Sequence, residues 1–115
     1  YYNIKKQKDE IFNRIKNVIV ENIENNTLNV SFISRLLAKV LQKIYRIVKE
    51  YTGKGLNSLI CTIRLSVAID LIINDNLTIS EAAFRTGFSN ISVFSKTFKK
   101  YYGTRLQNIL RSLGE

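Results

Sequence analysis

Apolar residues recur at helical spacing along most of the chain, in stretches separated by short polar or glycine-bearing breaks. Ile11, Ile15, Val18, Ile19 and Ile23 form a stripe that predicts a first helix from about Asp9 to Asn25. Asp9 and Glu10 suit its positive N-terminal end, and Asn25-Asn26 breaks it. Residues 1–8 are polar and basic and read as a frayed lead-in or the end of a linker, so the folded domain is expected over residues 9–115. A short second helix is expected from about Val30 to Leu37, with Asn29 as its cap. A third covers about Leu41 to Tyr51, with Ile44, Ile47, Val48 and Tyr51 inward and Gly53 as its stop. The fourth, from about Asn57 to Asn74, carries Leu59, Ile60, Ile63, Val67, Leu71 and Ile72. A seventh, Arg105 to Leu113, sets Leu106, Ile109, Leu110 and Leu113 on one side and is expected to pack under the sixth.

The fifth and sixth helices lie in the most informative stretch, Thr78 to Gly103. Thr78 stands before an apolar run with Glu81 three residues on, the capping-box pattern that satisfies the first free amides of a helix. Ala82, Ala83 and Phe84 supply its apolar side, and Gly87 supplies the positive φ that stops it. Ser89 is then expected to cap a helix whose apolar positions are Val93, Phe94, Phe98 and Tyr101, with Gly103 closing it. Asn90, Ile91, Ser92, Ser95, Lys96, Lys99 and Lys100 remain on its outer face. Two short helices about a tight turn, with a polar and basic second helix, match a helix-turn-helix that places that helix in a major groove.

Composition narrows the class. The 115 residues suffice for one core, and no Pro with 5 Gly favours an all-helical chain with short turns. Eighteen basic against nine acidic residues leave +9, which calls for a polyanionic partner: nucleic acid first, anionic membrane second. From Lys39 to Arg64 six basic residues (Lys39, Lys43, Arg46, Lys49, Lys54, Arg64) meet one acid, Glu50. From Arg85 to Arg111 six more (Arg85, Lys96, Lys99, Lys100, Arg105, Arg111) meet none. A basic but merely solvated surface is the plain alternative, and acid-free windows over candidate recognition helices weigh against it. Cys61, the single cysteine, sits among apolar neighbours and is expected as a small buried hydrophobe. No apolar run approaches the roughly 20 residues of a membrane span, and no signal peptide is visible, which points to a cytoplasmic location. A start at Tyr-Tyr without Met reads as a piece of a longer protein.

The chain also repeats itself. Arg46-Ile-Val-Lys49-Glu-Tyr51-Thr-Gly53 and Lys96-Thr-Phe-Lys99-Lys-Tyr101-Tyr-Gly103 align at a constant offset of 50. That marks a duplicated helix-turn-helix, about residues 29–53 and 78–103, joined by the fourth helix at about 57–74.

With these residues assembled, the sequence resembles the DNA-binding domain of AraC/XylS-type transcription regulators, over about Asn29 to Leu113. ISEAAFRTGFSNISVFSKTFKKYYG is similar to the family's I-x-E-x-A segment, its GF, and S-x-F-S-x-x-FKK-x-(aromatic)-G. Thr62-Ile63-Arg64-Leu65, with Ala68 and Leu71-Ile72, resembles the family's connecting helix. IYRIVKEYTGKGLNSLI is similar to the form found at the C-terminus of hybrid two-component regulators. The resemblance implies an all-α, homeodomain-like fold of seven helices whose two recognition helices enter successive major grooves. It points to Leu41, Gln42, Tyr45 and Arg46 on the first recognition helix, and Asn90, Ile91, Ser92, Ser95 and Lys96 on the second, as base-facing. Gln42 suits adenine, Arg46 or Lys96 guanine, and Ile91 a thymine methyl. Lys43, Lys49, Lys99, Lys100 and the amides after Ser89 suit phosphates. Implied partners are double-stranded DNA and either RNA polymerase or an upstream sensor or dimerisation domain of the same chain; no membrane contact is implied.

There are departures from the family pattern. Ala38 stands where the first turn commonly has Gly, Val40 where a Ser cap is usual, and Thr104-Arg105-Leu106 where a Pro often follows the last glycine. Val cannot cap, at a cost of about 1 kcal/mol. Bland roles exist for single side chains: Ser95 as a surface filler, Ile91 as core, Tyr45 packed on its own helix. A helical protein-interaction or RNA-binding module with a degenerate first unit is the alternative function. Catalysis is not expected: there is no His, no Gly-rich phosphate loop and no convergent carboxylate pair, and Glu81 is a cap. No cofactor or metal is expected.

Overall fold

Seven α-helices and no strand form among residues 2–113, the part of the chain that the computed structural model describes. In chain order they are α1 (Tyr2–Glu21), α2 (Val30–Leu37), α3 (Leu41–Thr52), α4 (Leu56–Asn74), α5 (Ile79–Arg85), α6 (Ile91–Tyr102) and α7 (Leu106–Leu113). The fold is all-α, and α2–α3 and α5–α6 are two helix-turn-helix units joined by α4.

Two apolar cores hold the molecule. Ile11, Ile15 and Ile19 of α1, Ile33 and Leu37 of α2, and Ile44, Ile47 and Val48 of α3 bury against one another in the first. Ala82 and Ala83 of α5, Phe88, Phe94 and Phe98, and Leu106 of α7 form the second. α4 belongs to both: Leu56 and Ile60 enter the first core, Leu65 and Ala68 the second. Its apolar residues therefore run around the helix rather than along one stripe. At 19 residues with mean hydropathy 1.8, α4 is long and apolar enough to cross a membrane, contrary to the expectation that no such run exists. Burial on two sides accounts for that composition, since a helix shared by two cores needs more than one apolar face.

Local signals place most helix ends. Asn29 Oδ1 accepts from the Phe32 amide at 3.0 Å and opens α2. Thr78 Oγ1 accepts from the Glu81 amide at 3.1 Å while the Thr78 amide donates back to Glu81 at 3.2 Å, a complete capping box. Those bonds to Thr78 hold the Glu81 carboxyl below its ordinary pKa. α2 and α5 then end alike. After α5, the Gly87 amide donates to Phe84 O and the Phe88 amide to Ala83 O, with Gly87 at φ +91°. After α2, the Ala38 amide donates to Arg35 O and the Lys39 amide to Ser34 O, with Ala38 at φ +53°. Both are Schellman turns, so Ala38 does the work of Gly87 at the expense of a left-handed backbone.

Several expectations change. Residues 2–8, read as a frayed lead-in, form the opening turns of α1, because Lys8 pairs with Glu50 at 3.2 Å and Asp9 accepts from the Tyr51 hydroxyl. Tyr51, expected inward, is 37% exposed and stacks on Phe12 at 4.7 Å; its bond to Asp9 raises its pKa to about 12. Phe84, expected on the apolar side of α5, is 74% exposed, because a seven-residue helix turns only Ala82 and Ala83 fully to the core. Leu113 is exposed at the end of α7, and Cys61 is half-buried.

The two turns predict opposite responses to the same chemical change. A Cβ on Gly87 would lie 2.6 Å from Ile23 O and 2.9 Å from the Arg64 guanidinium, so Gly87→Ala is expected to cost about 2–4 kcal/mol in denaturant unfolding. Ala38→Gly relieves a left-handed alanine and is expected to stabilise by about 0.5–1 kcal/mol after the glycine's added unfolded-state entropy. A loss of stability in Ala38→Gly would contradict this reading.

Candidate nucleic-acid interface

α6 is set on the second core by its aromatic side. Phe94 and Phe98 are fully buried; Phe94 meets Phe88 edge-on at 5.1 Å, and Phe98 stacks on Tyr102 at 4.6 Å. Anchoring at positions four apart turns Ile91, Ser92, Ser95, Lys96, Lys99 and Lys100 to solvent. The cap is Asn90, whose Oδ1 accepts from the Val93 amide at 2.8 Å, and not Ser89 as expected. Ser89 sits one residue too early to reach the first-turn amides, because α6 begins at Ile91. Asn90 therefore spends its carbonyl oxygen on the helix and keeps its amide N–H groups for other partners. Val93, expected in the core, is 45% exposed, since the core side of α6 is already filled by Phe94 and Phe98. Ile91 is also 45% exposed, which places it at the surface rather than in the core.

α3 repeats the arrangement fifty residues earlier. Ile44 and Val48 are fully buried, as are their counterparts Phe94 and Phe98. Leu41, Gln42, Lys43, Tyr45, Arg46 and Lys49 face solvent. Tyr45 is 49% exposed and projects from its helix instead of packing down on it. Both helices run for 12 residues and close on a left-handed glycine: Gly53 donates to Lys49 O at 2.9 Å and Gly103 to Lys99 O at 2.8 Å. The starts differ. Val40 has no side-chain bond to the first turn of α3, whereas its counterpart Asn90 does.

The cations on the two helices are placed differently. On α3, Lys49 and Arg46 share their helix with Glu50, which is tied to Lys8. On α6, Lys96, Lys99 and Lys100 have no acid nearby in sequence, and Lys96 and Lys99 line a groove of about 560 Å³ against α7. Arg105, just before α7, and Arg111 on it line the same groove. In the sequence both arginines fall in the acid-free window, and the apolar stripe of the last helix implies only a packing role for it. The stripe of Leu106, Ile109 and Leu110 showed which side packs, and the approach of α7 to α6 decides what the other side faces.

A long helix carrying two helix-turn-helix units, each with an exposed and largely polar second helix, is the architecture of a double helix-turn-helix DNA-binding domain. A family described as "Helix-turn-helix domain" matches residues 33–112, most of the chain. The chain belongs to that family, in its AraC-type branch of transcription regulators. It is 30% identical over 91 residues to the Msm operon regulatory protein of Streptococcus mutans, covering 79% of this chain and 32% of that protein. It is 26% identical over 102 residues to the transcriptional activator RhrA of Rhizobium meliloti, covering 84% and 31%. The chain thus spans about a third of the length of these curated relatives. Among solved structures, the C-terminal domain of AraT, a response regulator from Geobacillus stearothermophilus, superposes with a TM-score of 0.77 at 25% identity, over 89% of this chain and 84% of that one. A DNA-binding transcriptional dual regulator from Escherichia coli superposes at 0.75 and 22% identity, over 89% and 96%, which bears on the fold alone.

The unequal helix starts are testable through stability. Asn90→Ala is expected to cost about 1 kcal/mol and Val40→Asn to gain about 1 kcal/mol in chemical denaturation. No gain from Val40→Asn would mean that the first-turn amides of α3 are already satisfied.

Proposed function

We propose that this chain is the DNA-reading output domain of a transcription regulator, binding duplex DNA with α3 and α6 in successive major grooves. The observation that carries the reading is α6: a rigidly anchored, capped helix whose outer face is polar and basic, inside a window without acids. Family membership supports duplex DNA as the ligand. A molecule 48 Å long is large enough to reach two grooves about 34–36 Å apart.

In this reading Leu41, Gln42, Tyr45 and Arg46 meet base edges in one groove. Asn90, Ile91, Ser92, Ser95 and Lys96 do so in the next. Gln42 pairs with adenine through two hydrogen bonds, Arg46 and Lys96 with guanine O6 and N7, and Ile91 with a thymine methyl. Asn90 acts through its amide N–H groups, because its oxygen is held by Val93. Lys43, Lys49, Ser89, Lys99 and Lys100 contact phosphates and set register. The domain boundaries follow the two units, with α4 as the spacer between them. The upstream sensor or dimerisation region of the longer chain, or RNA polymerase, would be its protein partner, and its place of work the cytoplasm.

Binding to duplex and single-stranded probes across a salt series tests the reading. Duplex preference with affinity falling steeply in salt supports it, and a flat dependence or a preference for single-stranded RNA opposes it. Lys99→Ala is expected to weaken binding to all duplexes and lower the salt slope by about 0.9. Arg46→Ala or Lys96→Ala should instead relax preference at particular base pairs, at about 1–3 kcal/mol each. Equal losses on selected and random duplexes for all three variants would defeat the division between base and phosphate contacts. Selection of sites from a random duplex pool should return a two-part motif.

A further inference from the structure

The groove between α6 and α7 holds more positive charge than one recognition helix supplies. Lys96 and Lys99 reach it from α6, Arg105 from the turn before α7 and Arg111 from α7, with Ser95 and Gln107 as polar neighbours. Its walls carry no acid, and among the described residues none of these four cations is ion-paired. Phe94 and Leu106, both buried, form its apolar base, which offers the four cations no counter-charge. Four like charges on exposed side chains around a single groove repel in the free protein. They become favourable when a polyanion enters and releases its counterions. Guanidinium groups suit this task, because their planar donor fork matches two oxygens of one phosphodiester.

We infer that this groove is a phosphodiester-binding channel, and that Arg105, just ahead of α7, and Arg111 on α7 grip the sugar-phosphate backbone of the strand flanking the groove read by α6. The inference rests on the duplex-binding reading and extends it to a helix not assigned to it. α7 then has two sides with two roles: Leu106, Ile109 and Leu110 pack on the second core, and the arginine side completes the phosphate track begun by Lys99. The second unit consequently holds its strand from two helices. The first unit has no such pair of arginines, since fifty residues earlier the positions of Arg105 and Arg111 are held by Gly55 and Cys61.

The test uses the chain with Arg105→Gln and Arg111→Gln together, both at exposed positions, with helicity and melting temperature compared to the parent. Affinity for a selected duplex and a random duplex is measured between 50 and 300 mM salt. The expected result is a slope smaller in magnitude by about 1–2 and a loss of roughly tenfold or more at low salt, equal on both duplexes. An unchanged slope in the double variant, while Lys99→Ala still lowers it, would overturn the channel and leave the duplex-binding reading standing. Absence of duplex binding by the parent chain would overturn both. Inorganic phosphate at matched ionic strength distinguishes the source of the anion. If it competes no better than chloride, the extended strand is the ligand. If it displaces DNA from the parent but not from the double variant at millimolar concentration, the groove is a free-anion site and the strand assignment fails.

Discussion

The structure turns on the place where α4 meets both halves of the molecule, and within it on Arg64. Its Nη2 donates to Asn25 O at 2.6 Å, in the turn after α1, while Gly87, in the turn of the second unit, lies against the same guanidinium. A fully exposed arginine would do nothing for architecture; this one is half-buried, and burial lowers its pKa from the ordinary value. Its Nε is buried without a partner, so the contact is held at the cost of an unmet donor. The gain is steric definition: α4, the 23–26 turn and the second unit's turn fit together only with a hydrogen atom at Gly87. A weaker tie runs alongside, Arg85 to Glu24 at 3.8 Å, between exposed groups where such a pair contributes little. The continuous α4 already ties the two cores together. A guanidinium wedged between backbone segments of both halves gives them a fixed relation.

Duplication explains why one sequence contains two such units, and divergence explains why they are not equal. The Schellman turn, the paired buried positions and the terminal glycine recur in both. The second unit keeps the residue types those features prefer: Gly87 in the left-handed turn and Asn90 at the cap. The first has Ala38 and Val40 there, and preserves the geometry without the local preference for it. Packing replaces local chemistry in that half: Phe12, Lys8 and Asp9 of α1 clamp the end of α3 through Tyr51 and Glu50. The second unit has no equivalent of α1, so its own caps carry more of its stability.

The distribution of charge follows the same asymmetry. On α3 the one acid, Glu50, is drawn off by Lys8, and the exposed face mixes apolar Leu41 and Tyr45 with Gln42 and Arg46. On α6 the face carries Ile91, Ser92 and Ser95 beside its lysines, and the positive charge continues through Arg105 to Arg111 on α7. Both helices carry three exposed cations; the first half adds large apolar side chains to them, and the second adds arginines from the segment that follows. Matching surfaces would bind two copies of one half-site; these unlike surfaces suit a directional ligand.

Much of this was legible in the residues themselves. Helix number, the two units, the capping box at Thr78 and the buried pairs followed from period, turn chemistry and an offset of 50, because those are local preferences repeated along one chain. Local preference failed where a long-range contact outweighed it. The opening turns of α1, read as frayed, are held by Glu50 and Tyr51, more than forty residues away. Phe84 and Val93 look like core residues in the sequence, and are exposed because Ala82 and Ala83 on α5 and Phe94 and Phe98 on α6 take the core-facing positions. The second cap moved from Ser89 to Asn90 because the turn length is set by how Phe88 docks in the core. The sequence determined which side of each helix is oily and how much charge the chain carries. Only the packing of α7 against α6, and of Arg64 beneath Gly87, decided which charges share a groove, since proximity between distant residues is a property of the fold and not of any local period.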